Sequence, residues 1–307
     1  MDSQISNNVV RTALDKVFYQ SFNGETHPGY ASAETSTVFK QDTVDNAAVI
    51  TEVFKGTGLW SLKAESQDVP QAQSRVGNQQ TFSVTEFAQS VDISKNFFDD
   101  NMHGVYENMV RDMGETGRIT KNQNAFGIFR NAFTTALTND GIALIEDAHV
   151  NLAGQTVDNE LGASALTEST LNDGIVELAQ QVAQDGTIRG SMAKTLLVPP
   201  KLFKLASEIT ESTLRSGTAN NDMNVYSTKY GINVATSPYL GLRSGGSDTA
   251  WFLLGNNHSV TRWVRQAVIT DLVDYKFQRN NNYTYKGSFR EVVGAMDYSG
   301  ITGSLGA

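Results

Sequence analysis

Cysteine is absent from all 307 residues, which excludes disulfides, thiolate metal sites and cysteine nucleophiles. Histidine is nearly as scarce. His27, His103, His149 and His258 lie far apart, without the HxxxH or HxH spacing of a metal centre. Long apolar runs are missing, so nothing reaches the roughly eighteen residues of a membrane span. The start, Met1-Asp2-Ser3-Gln4-Ile5-Ser6, lacks the basic and apolar regions of a secretory signal. Basic excess is missing too. With 24 Lys+Arg against 33 Asp+Glu the net charge is −9, and the basic residues are scattered. A phosphate-gripping surface needs them clustered. Acidity suits a surface near packed nucleic acid that must not adhere to it, and equally a surface kept soluble by charge.

What is present reads as an α+β chain long enough to bury a real core. Residues 1–50 are polar and weakly periodic. Val9 to Tyr19 could form a short amphipathic helix, followed by the turn-rich Asn23 to Tyr30. This is arm-like sequence, apolar enough to dock but too poor to fold alone. In 51–93 two extended stretches, Leu59 to Ala64 and Gln80 to Thr85, flank a polar tip from Glu65 to Asn78, as a projecting β-excursion would. Residues 94–133 read as a long helix. Ser94 is its expected N-cap, Asp99 and Asp100 suit its start, and Phe98, Met102, Val105, Met109 and Met113 form its apolar stripe. A bend is expected near Gly114 and Gly117, since a glycine inside a helix costs roughly 1 kcal/mol.

From 134 to 258 helix and strand alternate. Leu171 to Ala183 and Leu202 to Leu214 are predicted helices. Thr195 to Val198 (stopped by Pro199-Pro200), Ile232 to Thr236 and Ala250 to Leu254 are predicted strands. Residues 259–307 are strand-rich, with stretches at Val260–Val264, Val268–Phe277, Tyr283–Lys286 and Phe289–Met296.

No catalytic constellation stands out. Gly186 to Thr195 fails as a phosphate loop because Gly190 and Lys194 are separated and the segment leads into a strand. Glu146, Asp147 and His149 could chelate a divalent ion, but a hydrogen-bonded loop is the simpler account. No Gly-x-Ser-x-Gly elbow is present, although a triad assembled in space is not visible in a sequence. Asp99 and Asp100 point about 100° apart on a helix and cannot share a substrate. The aromatic clusters Tyr226/Tyr230, Trp251/Phe252 and Tyr283/Tyr285 are explained by packing. The sequence therefore assigns no catalytic, cofactor-binding or metal residue and no cofactor.

The order of elements resembles the tailed-bacteriophage major capsid proteins of the Hong Kong 97-type fold, nearest to their Mu-like major head subunit branch. The residues that carry the resemblance are Ile93 to Asp100, Asn131 to Phe133, Thr138 to Leu144 with His149, and Leu196 to Pro200. Trp251 to Leu253 and Arg290 to Ala295 add to it. The resemblance implies an arm (1–50), an extended loop laid over a neighbour (51–93) and a spine helix with its following helix in a peripheral domain (94–133). It further implies an axial domain (134–258) and C-terminal strands returning to the peripheral domain (259–307).

The implied function is a non-enzymatic virion shell subunit, made in the host cytoplasm and forming hexamers and pentamers around double-stranded DNA. Its implied partners are copies of itself, a separate scaffold or protease chain, a portal and a decoration protein, with no membrane. Some relatives join Lys to Asn covalently. Lys55, Lys63 and Asn280 to Asn282 have no spacing that brings them together, so that chemistry is not carried over. Alternatives are the shell of an encapsulin-type nanocompartment and a hydrolase with a concealed triad.

Overall fold

The computed structural model describes residues 2–24, 38–72, 74–96, 103–212, 223–274, 276, 278 and 282–307. Two four-stranded sheets share one long helix. The first sheet has the order β1-β10-β11-β4, from β1 (Lys40–Thr43), β10 (Val260–Val273), β11 (Asn282–Ala295) and β4 (Thr85–Ser94). The second has the order β12-β9-β7-β8, from β12 (Ile301–Ser304), β9 (Trp251–Gly255), β7 (Ala193–Val198) and β8 (Asn233–Thr236). β2 (Ala48–Phe54) and β3 (Val76–Ser83) form a separate antiparallel hairpin, and β5 (His149–Val150) pairs with β6 (Thr156–Val157).

Two of these placements differ from the sequence expectation. Four separate C-terminal stretches were expected, whereas two 14-residue strands run side by side, with register shifts between Val264 and Ile269 absorbing the irregular pattern. Nor do residues 259–307 stay in one sheet: β12 pairs with β9 and finishes the second sheet.

The helix α2 (His103–Arg130) ties the sheets together. Twenty-eight residues span about 42 Å at 1.5 Å each. Its first half sends Tyr106, Val110 and Met113 into the core over the first sheet, and its second half sends Ala125, Phe126 and Phe129 into the core under the second. The expected stripe is therefore out of phase. Val105 and Met109 are exposed, while their neighbours Tyr106 and Val110 are buried. Phe98–Asp100 and Met102 lie outside the described residues, and Ser94 ends β4 with its hydroxyl accepting from the Asn96 amide at 3.3 Å.

The helix does not break at Gly114 and Gly117. The helix α1 (Asp2–Phe22) crosses there, and a Cβ at Gly114 would sit 2.7 Å from the Phe18 carbonyl oxygen. The glycines are a docking notch. The beginning of the chain, expected to be an arm with enough apolar residues to dock but too few to fold alone, docks on its own subunit. Leu14, Phe18 and Phe22, spaced by four, put one face of α1 into the core with Ile93 and Tyr285. Asp15 accepts hydrogen bonds from Tyr285 and Thr270, both at 2.8 Å, and fixes the helix on the sheet.

The helices α3 (Glu168–Gln180) and α4 (Phe203–Thr210) cover one face of the second sheet through Leu171, Ile175, Leu178 and Ala206. Thr167 caps α3 reciprocally with Thr170, accepting from its amide at 3.2 Å. Gly186 lies beyond the end of α3, in a turn at φ 81°.

Candidate assembly surface

Between β2 and β3 the chain leaves the body of the molecule. The base of this excursion is fastened to its own subunit. The Lys55 amide donates to the Arg75 carbonyl at 2.9 Å, and the Arg75 guanidinium donates to the Leu152 carbonyl at 2.7 Å. Gly56, at φ 78°, turns the chain beside Asp185 and Arg189, where a β-carbon would meet the Asp185 carboxylate at 3.2 Å.

Beyond that clamp, residues 57–72 form no strand. Leu59 is 83% exposed, Trp60 97%, Leu62 99% and Val69 79%. Leu59, Trp60, Val69 and Pro70 line a concavity of about 660 Å³. The alternation of Leu59 to Ala64 reads as a strand, but among the described residues no strand pairs with it. Most of the large exposed apolar groups sit ahead of the expected polar tip: Leu59, Trp60 and Leu62 precede Glu65, Val69 lies within the tip, and Val76 to Asn78 belong to β3. Fully burying one such side chain is worth about 1.5–3 kcal/mol. Contiguous exposed apolar surface of this kind marks an interaction site.

The chemical candidates are organised differently. His149 is fully buried, stacked on Tyr298 with ring centroids 4.4 Å apart, and its Nδ1 is 2.7 Å from the Asp140 carboxylate. Its ring contacts Asp140 and Tyr298, and among the described residues no group of three or more His, Asp or Glu could hold a metal ion. Burial alone would raise the Asp140 pKa. Hydrogen bonds from His149 and Thr138, the His149 charge and the Ile142 amide together outweigh it and hold the carboxyl below its usual range.

An Asp–His pair of this kind is the orienting half of a triad, but His149 Nε2 has no hydrogen-bond partner. A nucleophile would need a hydroxyl there. Sequence reasoning missed Asp140 as the partner, although it lies nine residues before His149 in the segment Thr138 to Leu144.

The Gly186 to Thr195 segment is a connecting turn. Asp185 accepts from the Thr187 hydroxyl at 2.6 Å, and Gly190 packs against the Ala179 backbone so closely that no side chain fits. Glu146, Asp147, Asp158 and Glu160 share a neighbourhood. Burial, then the other three carboxylates, raise the Glu160 pKa. His27, Asn280 and Asn281 and the side chain of His103 fall outside the described residues. Among the described residues no helix is long and apolar enough to cross a membrane.

Comparison with known proteins agrees with this architecture. Residues 78–303 match the family model described as phage capsid protein. No curated protein sequence matches. Solved structures do. The mature capsid of bacteriophage PhiM1 has a TM-score of 0.59 at 11% identity, covering 92% of this chain and 90% of that one. The capsid of cyanophage P-SCSP1u has 0.58 at 12%, covering 88% and 86%. A virus-like particle from Pyrococcus furiosus has 0.55 at 10%, covering 95% and 98%. Identities this low speak for the fold, which is the Hong Kong 97-type capsid fold, and the family match spans most of the chain: the protein belongs to the phage capsid protein family.

Proposed function

We propose that this protein is the major head subunit of a tailed bacteriophage of the Mu-like branch, assembling as hexamers and pentamers into an icosahedral shell around double-stranded DNA. The observation that carries the reading is the excursion of residues 57–72, clamped at its base and presenting Leu59, Trp60 and Leu62 almost wholly to solvent. Exposed apolar groups clustered in this way suit a surface that neighbouring subunits cover. In this reading the first sheet with α1 and α2 is the peripheral domain, and the second sheet with α3 and α4 is the axial domain.

Weak contacts repeated around every subunit add through effective concentration, so no single contact need be strong. The net charge of −9 keeps the shell from adhering to the DNA inside it. A separate scaffold or protease chain, a portal and a decoration protein complete the proposed partners, and no enzymatic step is assigned to the chain. Negative-stain microscopy of the purified protein tests this. Capsomers or closed shells are expected, and a monodisperse monomer under every assembly condition, scaffold included, contradicts it.

A second reading, a nanocompartment shell that packages an enzyme, is favoured by the likeness to the Pyrococcus furiosus particle. The contents of purified particles separate the two: nuclease-protected DNA for a head, a stoichiometric cargo protein for a compartment.

A further inference from the structure

We infer that Asp297 and Gln184 form a proton-operated latch inside the subunit: a proton on Asp297 turns the Gln184 amide over, frees the Leu152 amide and loosens the base of the excursion. The latch concerns the single subunit and is independent of the shell reading. It sits where the chain passes between the two sheets. β11 ends at Ala295, β12 starts at Ile301 in the other sheet, and Asp297 lies on that crossing. Hydrogen bonds lead from there to the excursion. Gln184 donates from Nε2 to Asp297 Oδ2 at 3.3 Å, and its Oε1 accepts from the Leu152 amide at 3.0 Å. The Leu152 carbonyl in turn accepts from the Arg75 guanidinium at 2.7 Å. The Leu152 side chain packs on Gly77, where a β-carbon would meet it at 2.9 Å. Gln184 is only 7% exposed, so water does not readily replace either of its bonds.

The direction of these bonds makes the arrangement a switch. The Asp297 carboxyl accepts from Gln184, from the Ser299 hydroxyl at 2.9 Å and from the Ser299 amide at 3.3 Å. An ionised carboxylate suits all three, because it can only accept. A protonated one has a hydrogen to give. On the Gln184 side the acceptor is Oε1, which comes within reach only when the amide turns over. Nε2 then faces the Leu152 N–H, donor against donor. A buried donor left without its acceptor costs about 1–3 kcal/mol.

Burial raises the Asp297 pKa, against the opposing effect of its hydrogen bonds from Ser299 and Gln184. On acidification the folded protein therefore takes this proton at a pH where an exposed aspartate is still ionised. Other charges face the crossing. Tyr298 stacks on His149, which pairs with Asp140, and Asp185 pairs with Arg189 beside Gln184. His258, near Lys40, adjoins Ser259, whose hydroxyl donates to the Asp297 carbonyl, and burial keeps it neutral down to about pH 4. Glu177 and Glu160 act from the other side, near Asp158 just beyond β6. The Asn151 side-chain amide donates to the Ala183 carbonyl at 3.2 Å in either state, so the latch loosens the β5–β6 turn without detaching it.

Amide hydrogen exchange of full-length subunits, read by mass spectrometry from pH 7.5 to pH 4.5 and corrected for intrinsic rates, tests the latch. Protection over residues 149–157 and 74–79 is expected to fall about tenfold on acidification, the equivalent of 1.4 kcal/mol, while residues 193–198 in β7 keep theirs. Asp297→Asn places a permanent donor where the proton would sit, so low protection is expected at every pH. Glu177→Gln is expected to keep the wild-type profile. Wild-type protection that does not change with pH overturns the inference, since the Ser299 hydroxyl would then be taking the proton's hydrogen bond. High protection or a wild-type profile in Asp297→Asn overturns it too. Should Asp297→Asn fail to fold, Gln184→Met, of similar length but without the amide, is expected to give low, pH-independent protection over 149–157; protection there that still falls with acid overturns the latch.

Discussion

Glu291 is buried on β11 and forms an ion pair with Arg262 on β10, with the Arg262 Nε donating at 2.8 Å and the Asn124 amide adding a bond at 3.4 Å. Removing one partner leaves a buried charge without compensation, so Glu291→Ala is expected to lose about 3–5 kcal/mol in urea unfolding. Two titrating residues give the protein opposite pH slopes. Burial, helped by the Asp158 charge, pushes the Glu177 pKa up from 4.5 to about 7. Between those values the folded state keeps a proton that the unfolded chain releases, so stability falls as pH rises through this window. Burial, helped by the Lys40 charge, lowers the His258 pKa from 6.5 to about 4. There the unfolded chain takes a proton that the folded state refuses, so stability falls as pH drops from 6.5 towards 4. Melting temperatures across pH 4–8 should show a shallower alkaline decline in Glu177→Gln and a shallower acid decline in His258→Gln. None of these three environments was legible in the sequence. Glu291, Glu177 and His258 look like ordinary residues of a strand, a helix and a loop until distant segments close over them.

Among the elements, the strands β7, β8 and β9 were legible because each is a short apolar run stopped by a turn residue or proline. The helix α2 was legible in extent and wrong in phase. Val105 and Tyr106, and Met109 and Val110, are adjacent apolar pairs, and only the partner surface decides which member of each turns inward. Gly114 and Gly117 were misread for a related reason, since a helix-breaking residue and a helix-crossing residue are the same residue in sequence. That α1 is part of its own core gives a prediction: Phe18→Ala should cost about 3–5 kcal/mol, and Gly114→Val should release α1 to limited proteolysis. A stability change under about 0.5 kcal/mol in Phe18→Ala would mean that α1 contributes little to the fold. The excursion behaves in the opposite way. Replacing residues 59–72 with a short Gly-Ser linker should leave circular dichroism and the unfolding midpoint unchanged while abolishing shells. The segment to remove ends before Val76, because Val76 to Asn78 belong to β3 and Gly77 packs against Leu152.

At the scale of the whole molecule, the family was readable from the order of elements although no single motif was specific. What the sequence could not separate was apolar residues that pack inward from apolar residues held out. Phe18 and Trp60 look alike in a sequence, and one is 2% exposed while the other is 97% exposed. This difference puts the account's weight on Trp60, and it supplies the measurement. The other two tryptophans, Trp251 and Trp263, are buried in the subunit, so acrylamide-quenchable emission reports Trp60. The account predicts that this emission shifts to the blue and becomes protected when free subunits convert to shells, and that Trp60→Ala subunits remain folded but do not convert. Shells whose emission stays as red and as quenchable as that of free subunits would contradict it.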